Sequence, residues 1–239
     1  MNVLVIDTET ANSVEQPLPY DVGYAIVNTS TSEILVRRSY VVAEIFFDKE
    51  LMKEAYFAEK IPQYWKDIKS KKRIVKSICN IRKIIREDMK KFEVVKVGAY
   101  NMGFDNRATK NDVRFITGSM IKWFFPYGTK FFCIWHMACT SFLNTLDYIN
   151  FAIKNNFVSE VGNIQTSAEC AYRYLTNNPT FEESHTGLED VEIEIAILLK
   201  CLKTGDEEMK SKPYSACWRN VQKTKKQMEL DEVFDTLAC

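Results

Sequence analysis

Residues 184–200, SHTGLEDVEIEIAILLK, place one of only two histidines, His185, five positions before Asp190 at the head of an apolar helix. This pair has two interpretations. Polar and acidic residues commonly cap helix N-termini, where their oxygens accept unpaired backbone N–H groups and favour the positive end of the helix dipole. An imidazole is also well suited to proton transfer, because its pKa lies near neutrality. The other acidic residues of the chain distinguish the helix-cap interpretation from the catalytic one.

Two further acidic clusters lie where a predicted strand meets the next element. Asp7 and Glu9, in VIDTET, stand two residues apart at the end of the first predicted strand, so both carboxylates face one point. Asp105, in GAYNMGFDN, follows a later strand as the predicted first residue of a helix. Taken singly, the first cluster suits a turn and the second an N-cap. Together with Asp190 they give four carboxylates at the ends of core elements, where α/β proteins place their sites.

Four carboxylates around one point repel one another unless cations are bound. Mg²⁺ and Mn²⁺ are hard ions that prefer oxygen ligands. Two such ions about 3.5–4 Å apart can activate a water molecule and stabilise the leaving oxygen of an in-line phosphodiester displacement. These residue types are therefore the ones that two-cation hydrolysis requires.

The strands that must position these acids are visible as short β-branched runs. NVLVID, DVGYAIVNT and EILVRRSYVV follow one another across turn-like breaks and predict a three-stranded antiparallel meander. Residues 94–100 and 131–137 predict a fourth and a fifth strand, with a helix from about Asp105 between them. That alternation implies crossover connections and a partly parallel sheet.

Two amphipathic helices are predicted on either side of these strands. One runs from Lys71 to Met89, with apolar residues at Ile74, Ile78, Ile81 and Ile85 and a basic opposite face of Arg73, Lys76, Arg82, Lys83 and Arg86. That face is either solvated or follows a phosphate backbone. The other helix runs over residues 188–202 and stops near Gly205. We predict a domain over residues 1–205 and a charged, helical C-terminal extension over 206–239.

Composition excludes several classes of protein. The 239 residues are 46% apolar, enough for a full core, and 32 basic residues balance 32 acidic ones. The cysteines form no CxxC pair, which disfavours a zinc ribbon and a disulfide scaffold; they are Cys79, Cys133, Cys139, Cys170, Cys201, Cys217 and Cys239. The N-terminus lacks a signal-peptide pattern, and no apolar run is long enough to cross a membrane. We expect a soluble cytoplasmic protein with reduced thiols.

Three motifs, taken together, resemble those of the DEDD exonuclease superfamily, the DnaQ-like proofreading-exonuclease fold, in its DEDDh subgroup with a catalytic histidine. DTET matches the first motif, YNMGFD the second and HTGLED the third, in the expected order over residues 2–203. The resemblance implies an α/β, ribonuclease H-like fold, in which an antiparallel three-strand meander and parallel strands form a mixed sheet flanked by helices.

The resemblance also implies a role for each motif residue. Asp7 would bridge two divalent cations, Mg²⁺ or Mn²⁺, Glu9 and Asp190 would complete the ligand shell, and Asp105 would act on the second ion through water. His185 would be the general base that deprotonates the attacking water. Substrate contacts are expected from Thr8, Thr10, Asn101 and Phe104. The interpretation of His185 and Asp190 as catalytic machinery is thereby favoured over the helix cap.

The implied activity is a 3′–5′ exonuclease that releases nucleoside monophosphates from the 3′ end of single-stranded DNA or RNA, with DNA slightly preferred. Two alternatives stay open. One is an exoribonuclease or oligoribonuclease-like enzyme that trims RNA. The other is a noncatalytic accessory subunit that binds nucleic acid or a polymerase. The sequence does not fix the oligomeric state.

Two positions depart from the usual motif, and two features outside it are ambiguous. Gly187 stands where relatives usually have Ala, and Val191 where they usually have a small residue; both changes affect packing more than chemistry. His136, on the fifth predicted strand, is interpreted as a core or rim histidine. The aromatic loop over residues 119–130 either stacks on unpaired bases or belongs to the core.

Overall fold

The computed structural model describes residues 1–205, 209 and 216–238. A single sheet forms its centre. Its strands are β1 (Asn2–Ala11), β2 (Leu18–Asn28), β3 (Glu33–Val42), β4 (Ile74–Lys76), β5 (Lys96–Ala99) and β6 (Lys130–Cys133), in the spatial order β4-β3-β2-β1-β5-β6.

Strand direction divides the sheet into two parts. β1, β2 and β3 pair antiparallel, whereas β4 lies parallel to β3, β5 to β1 and β6 to β5. Parallel neighbours need crossover connections, and helices supply them here. The predicted mixed α/β sheet, a meander extended by parallel strands, is confirmed.

Helices cover both faces of this sheet. Their bounds are α1 (Ala43–Phe46), α2 (Lys49–Met52), α3 (Ile61–Lys69), α4 (Ile78–Lys91), α5 (Met102–Thr117), α6 (Ile134–Ser141), α7 (Leu146–Lys154), α8 (Ala168–Thr176), α9 (Gly187–Lys203) and α10 (Trp218–Ala238), with a 3-10 turn at Ala58–Lys60.

Alternating residues of β1 divide between two apolar layers. Leu4 and Ile6 belong to the layer that contains the apolar face of α4, and Val3 and Val5 belong to the layer that contains α9. Successive side chains of a strand point to opposite faces of the sheet. Asp7 continues the series of Val3 and Val5, so it lies on the face that α9 covers.

The helix predicted over residues 71–89 is wrong in its first part. Residues 74–76 form β4, which pairs with residues 40–42 of β3. α4 begins only after Ser77, whose hydroxyl accepts the backbone N–H of Asn80. Ile74 has the helical spacing but lies in a short strand at the edge of the sheet, because its pairing with Tyr40 depends on residues far away in the sequence.

The three arginines of the basic face predicted for that helix make contacts within the protein. Arg73 is buried and pairs with Asp21 and Asp67. Arg82 and Arg86 donate to the backbone carbonyls of residues 123–125. These arginines hold the aromatic loop against α4, and the two phenylalanines at positions 124 and 125 are buried in the core.

Three other boundaries differ from the sequence prediction. The strand predicted over residues 131–137 is β6, which ends at Cys133. The chain then turns directly into α6, so His136 lies on a helix. α5 begins at Met102 after Asn101, which puts Asp105 in the first turn rather than at the first position. β1 continues to residue 11, so the acids of the first motif lie inside the strand. Short apolar runs do not distinguish strand from helix by periodicity alone.

The C-terminal helix α10 packs on the same apolar layer as α9. Val221 is buried there, and the side-chain amide of Gln222 exchanges two hydrogen bonds with the backbone of Ile164, at 2.9 and 3.0 Å. The division at residue 205 stays a prediction, and residues 206–208, 210–215 and 239 lie outside the described residues. Among the described helices, none is both long and apolar enough to cross a bilayer. The six cysteines in the described ranges are free thiols; a cytoplasmic location stays a prediction.

Candidate active site

β1 carries two of the predicted site acids on one face of the sheet. Glu9 is buried, with 5% of its surface exposed, and Asp7 is partly exposed to a cleft. Pairing with β2 keeps this segment extended as far as residue 11. The register shifts between Glu9 and Thr10, an irregularity of the kind that re-aims a side chain near a functional site.

The first turn of α9 brings a third carboxylate to the same place. Asp190 accepts hydrogen bonds from the backbone N–H of Thr186 at 2.9 Å and from the hydroxyl of Ser184 at 3.2 Å. One oxygen from each of Asp7, Glu9 and Asp190 lies within 4.8 Å of the others. Asp190 therefore does satisfy the helix N-terminus, as the cap interpretation predicts, and it also belongs to the acidic cluster.

Asp105 lines the same cleft as the cluster. It is buried in the first turn of α5 and accepts a hydrogen bond from the hydroxyl of Thr8 at 2.8 Å. It is not one of the three acids that meet within 4.8 Å. Its position fits a carboxylate that acts on a cation through an intervening water.

Burial raises the pKa values of all four carboxyls, and repulsion from the other site acids adds to the shifts of Asp7 and Glu9. Burial raises the pKa of Asp7 well above its usual range, and Glu9 is the neighbouring charge that adds most to the shift. The pKa of Glu9 rises to about 9, chiefly through burial and then through Asp190. Burial raises the pKa of Asp105 to about 7 and that of Asp190 to about 6. A set of oxygen donors that resists ionisation unless a positive charge is near fits a hard divalent cation.

His185 lies at the edge of the cleft in a left-handed backbone conformation, with φ at 53°. Its imidazole stacks on the ring of Phe57, with centroids 3.9 Å apart and planes 10° apart. Burial and the nearby Lys60 lower the pKa of the imidazole below its usual value of 6.5. Positive φ is uncommon outside glycine and persists where the surroundings enforce it, so the backbone and the stacked ring both fix the imidazole.

The four residues predicted to contact substrate all line this cleft, which has a volume of about 440 Å³. Asn101 is exposed at the N-terminus of α5, Phe104 is half-buried one turn further, and Thr10 is buried beside Glu9. The hydroxyl of Thr8 donates a hydrogen bond to the carboxylate of Asp105. The contacts of these four residues with substrate stay predictions.

The cleft includes residues that the motifs do not contain. Glu194 and Glu183 add two carboxyls, and Tyr56 and Phe57 add an aromatic wall. Burial raises the pKa of Glu183 to about 8. Glu194 stands four residues after Asp190, so helical spacing alone could have found it. No local pattern points to the aromatic pair, which reaches the cleft through tertiary packing.

A buried ion-pair network holds the N-terminus of α9 against the sheet. Asp21 of β2 is fully buried and accepts the backbone N–H of Gly187 at 3.2 Å and the guanidinium of Arg73 at 3.1 Å. Arg73 also contacts Asp67 at 3.2 Å and Glu189 at 3.5 Å. The network joins β2, α3 and α9, and so fixes the segment that carries the third motif relative to the first.

Comparison with known proteins gives matches at the level of structure only. No protein-family model and no curated protein matches the sequence. The nuclease domain of 3′hExo, a DEDDh family member solved bound to rAMP, superposes with a TM-score of 0.55 at 16% identity, over 86% of this chain and 94% of that one. The chain has the fold of a DEDDh exonuclease.

Two further solved structures share this DEDDh fold. A 3′-exonuclease described as recognising the 3′ end of a histone mRNA stem-loop has a TM-score of 0.55 at 15% identity, over 85% of this chain and 82% of the other. Cell-death related nuclease 4 has a TM-score of 0.51 at 9% identity, over 85% and 64%. In this chain, the five motif residues of the DEDDh pattern line one cleft: Asp7, Glu9, Asp105, His185 and Asp190.

Proposed function

We propose that this protein is a metal-dependent 3′–5′ exonuclease that releases nucleoside monophosphates from a nucleic-acid 3′ end. The observation that carries the proposal is the meeting of Asp7, Glu9 and Asp190 within 4.8 Å in the cleft that His185 also lines. These residues come from β1 and α9, which are separated by most of the chain. A fold alone does not imply a function, so the proposal rests on this site.

The acids would hold two divalent cations, Mg²⁺ or Mn²⁺. Asp7, Glu9 and Asp190 would hold the first cation. Asp7 would also hold the second, together with Asp105, which would act through water. When bound, the cations lower the pKa of a water molecule and stabilise charge on the leaving oxygen. Without them the cluster carries several raised pKa values, and a protein that only binds nucleic acid gains nothing from that cost. This argues against the noncatalytic accessory subunit.

His185 would accept the proton of the attacking water. Its pKa lies below 6.5, so the imidazole is neutral near pH 7 and ready to act as a base. The stack on Phe57 restricts the ring to the cleft edge without occupying either ring nitrogen. His185 belongs to the short loop before α9, and both of its neighbours in that loop, Ser184 and Thr186, donate hydrogen bonds to the carboxylate of Asp190.

A basic stripe on α5 offers a binding surface for the part of the nucleic-acid strand that extends out of the cleft. Arg107, Lys110 and Arg114 line one groove on the helix surface. The guanidinium of Arg107 lies 5.6 Å from the ring of Phe104, and the ammonium of Lys110 lies 4.6 Å from that of the exposed Trp123. Basic groups interleaved with aromatic rings suit a phosphate backbone with unpaired bases.

Both DNA and RNA are candidate substrates of the proposed exonuclease. DNA is the slightly preferred candidate. Exoribonuclease activity is supported by the two neighbours whose structures contain rAMP or concern a histone mRNA stem-loop. Discrimination at the sugar depends on contacts to the 2′-hydroxyl. A polymerase or other replication protein as partner, and a role in replication, repair or RNA turnover, stay predictions.

The test is a time course with 5′-labelled DNA and RNA oligomers, single-stranded and duplex, in Mg²⁺, Mn²⁺ or EDTA. We expect a ladder that shortens from the 3′ end, requires the cation and is absent with Asp7→Ala. The relative rates rank the substrates. A folded protein that binds a cation but shortens no polymer would contradict the proposal and favour a partner-dependent subunit.

A further inference from the structure

Glu194 is an additional acid on the face of α9 that meets the cleft. It stands one helical turn after Asp190, and residues four apart in a helix lie on the same face. Only 3% of its surface is exposed, and it lines the cleft together with Asp7, Asp105 and Asp190. The four-acid motif has no place for this residue.

One carboxyl oxygen of Glu194 lacks a hydrogen-bond partner. Its Oε2 atom is buried and has no hydrogen-bond partner, while the backbone of Tyr100 contributes one hydrogen bond to the carboxyl. The charged groups that most affect it are all acids: Asp105, Glu183 and Asp190. Burying a carboxyl oxygen without a partner is unfavourable, so a proton or a cation must satisfy it.

The crowding of acids around Asp7 favours a cation. One oxygen from each of Asp7, Glu9 and Asp190 lies within 4.8 Å of the others. Glu194 and Asp105 line the same cleft, and both add to the raised pKa of Asp7. A second cation bound by Asp7 and, through water, by Asp105 has few direct protein ligands. Mg²⁺ and Mn²⁺ take about six oxygen ligands, so that position accommodates a further carboxylate.

We propose that Glu194 is a fifth carboxylate of the metal centre and a direct ligand of the second cation. This inference rests on the proposed function, because it assumes that the cleft binds two cations. It predicts that the chain binds its second ion more tightly than the four motif acids alone would allow. The alternative is a protonated Glu194 that only completes the packing between α9 and β5.

The experiment measures Mn²⁺ binding to the full chain by isothermal titration and by electron paramagnetic resonance, without substrate. We expect two ions per chain for the parent. Glu194→Gln should weaken the second ion by about tenfold or more and leave the first unchanged. The matched control is Glu192→Gln, on the exposed face of the same helix, where the carboxylate pairs with Arg37. It should bind both ions as the parent does.

Each outcome supports or overturns the inference. Parental binding of both ions by a folded Glu194→Gln overturns it and leaves the proposed function intact. A parent that binds no divalent cation overturns both. If Glu194→Gln does not fold, Glu194→Asp keeps the charge but withdraws the carboxylate by one methylene. Weaker binding of the second ion by Glu194→Asp then supports the inference, and unchanged binding overturns it.

Discussion

Gly187, the first residue of α9, lies so close to Gly23 of β2 that a Cβ on Gly187 would be 2.7 Å from the backbone nitrogen of Gly23. The same Cβ would be 3.4 Å from the backbone oxygen of Asp7. The approach of helix to sheet therefore requires glycine on both sides. It brings the loop with His185 and the first turn with Asp190 against the strand that carries the first motif.

We expect Gly187→Ala to destabilise the protein by about 1–3 kcal/mol, the range for forcing extra atoms into a packed site. Cation affinity and nuclease activity should fall as well, because the third motif is pushed away from β1. Urea unfolding and Mn²⁺ titration measure the two effects.

Gly118→Ala is the matched control. Gly118 ends α5 in the left-handed region, φ 64°, with open space where a Cβ would go. This variant should lose about 1 kcal/mol through backbone strain and keep its activity. A Gly187→Ala protein with parental stability and activity would contradict the packing argument.

Asp7→Asn should lower turnover by more than about 100-fold. Loss of a residue that only supports a metal ligand costs about 10–100-fold, and Asp7 is proposed to be a ligand itself. In EDTA at pH 8 the same variant should be more stable than the parent, because it removes one of several mutually repelling carboxylates. Oligomer hydrolysis measures the loss of turnover, and thermal unfolding in EDTA measures the gain in stability. Loss of activity together with loss of stability in EDTA would indicate a structural role for Asp7.

The stability of the metal-free protein should fall as the pH rises from about 5 to 9. The carboxyls of Asp190, Asp105 and Glu9 have folded-state pKa values of about 6, 7 and 9, all above their usual values. The folded protein therefore binds more protons than the unfolded chain in this window, and each ionisation favours unfolding.

Cations compete with those protons, so the rise in unfolding temperature caused by Mg²⁺ or Mn²⁺ should be larger near the top of the window than near its bottom. Calorimetry in Mg²⁺ and in EDTA across the pH range measures both trends. A metal-free protein that becomes more stable toward alkaline pH would show that the pKa values of these carboxyls are not raised in the folded state.

Local patterns predict which acids share the cleft because strand alternation and helix turns are local rules. Asp7 and Glu9 share a face because they are two residues apart, and Asp190 lies in the first turn of a helix whose start is visible in the sequence. The topology of the sheet then brings the three motifs together. That topology follows from the meander and the crossovers.

Contacts between distant segments account for what the sequence does not predict. Ile74 pairs with Tyr40 in a strand, although its spacing is helical. Phe57 reaches His185 across more than half of the chain. Arg73 looks like part of a basic surface, and only the folded protein shows that it is buried against Asp21. Each of these depends on partners that no local window contains.

His185→Ala should lower turnover by about 10²–10⁴-fold, the usual contribution of a general base, and leave Mn²⁺ binding unchanged. In Phe57→Ala the imidazole loses its stacked ring and becomes more exposed. Burial is the main cause of the lowered pKa of His185, so the acid limb of the pH–rate profile should move up toward pH 6.5. Profiles at saturating Mg²⁺ measure this shift.

Phe47→Ala is the control for the aromatic change, since Phe47 is half-exposed and packs on Trp65 rather than on the histidine. Its profile should match that of the parent. If Phe57→Ala and Phe47→Ala have the same acid limb, the stack does not set the pKa of His185. If His185→Ala has the parent's rate and profile, the assignment of the base is wrong.

Arg73→Met should cost about 3–5 kcal/mol in the free energy of unfolding, because it leaves the buried Asp21 carboxylate without its cation. Arg37→Met provides the comparison. Arg37 pairs with Glu192 at 3.3 Å, but both side chains are about half exposed, so its loss should cost less than about 1 kcal/mol. Urea unfolding of the two variants gives the difference directly.

Adding Asp21→Asn to Arg73→Met should recover part of the lost stability, because the stranded charge is removed. Burial raises the pKa of Asp21 even beside Arg73, so a protonated Asp21 is the competing state. In that state Arg73→Met would cost no more than Arg37→Met, and Asp21→Asn would recover nothing. The pair of variants thus separates an ion pair that holds the N-terminus of α9 in place from a neutral acid that the arginine merely covers.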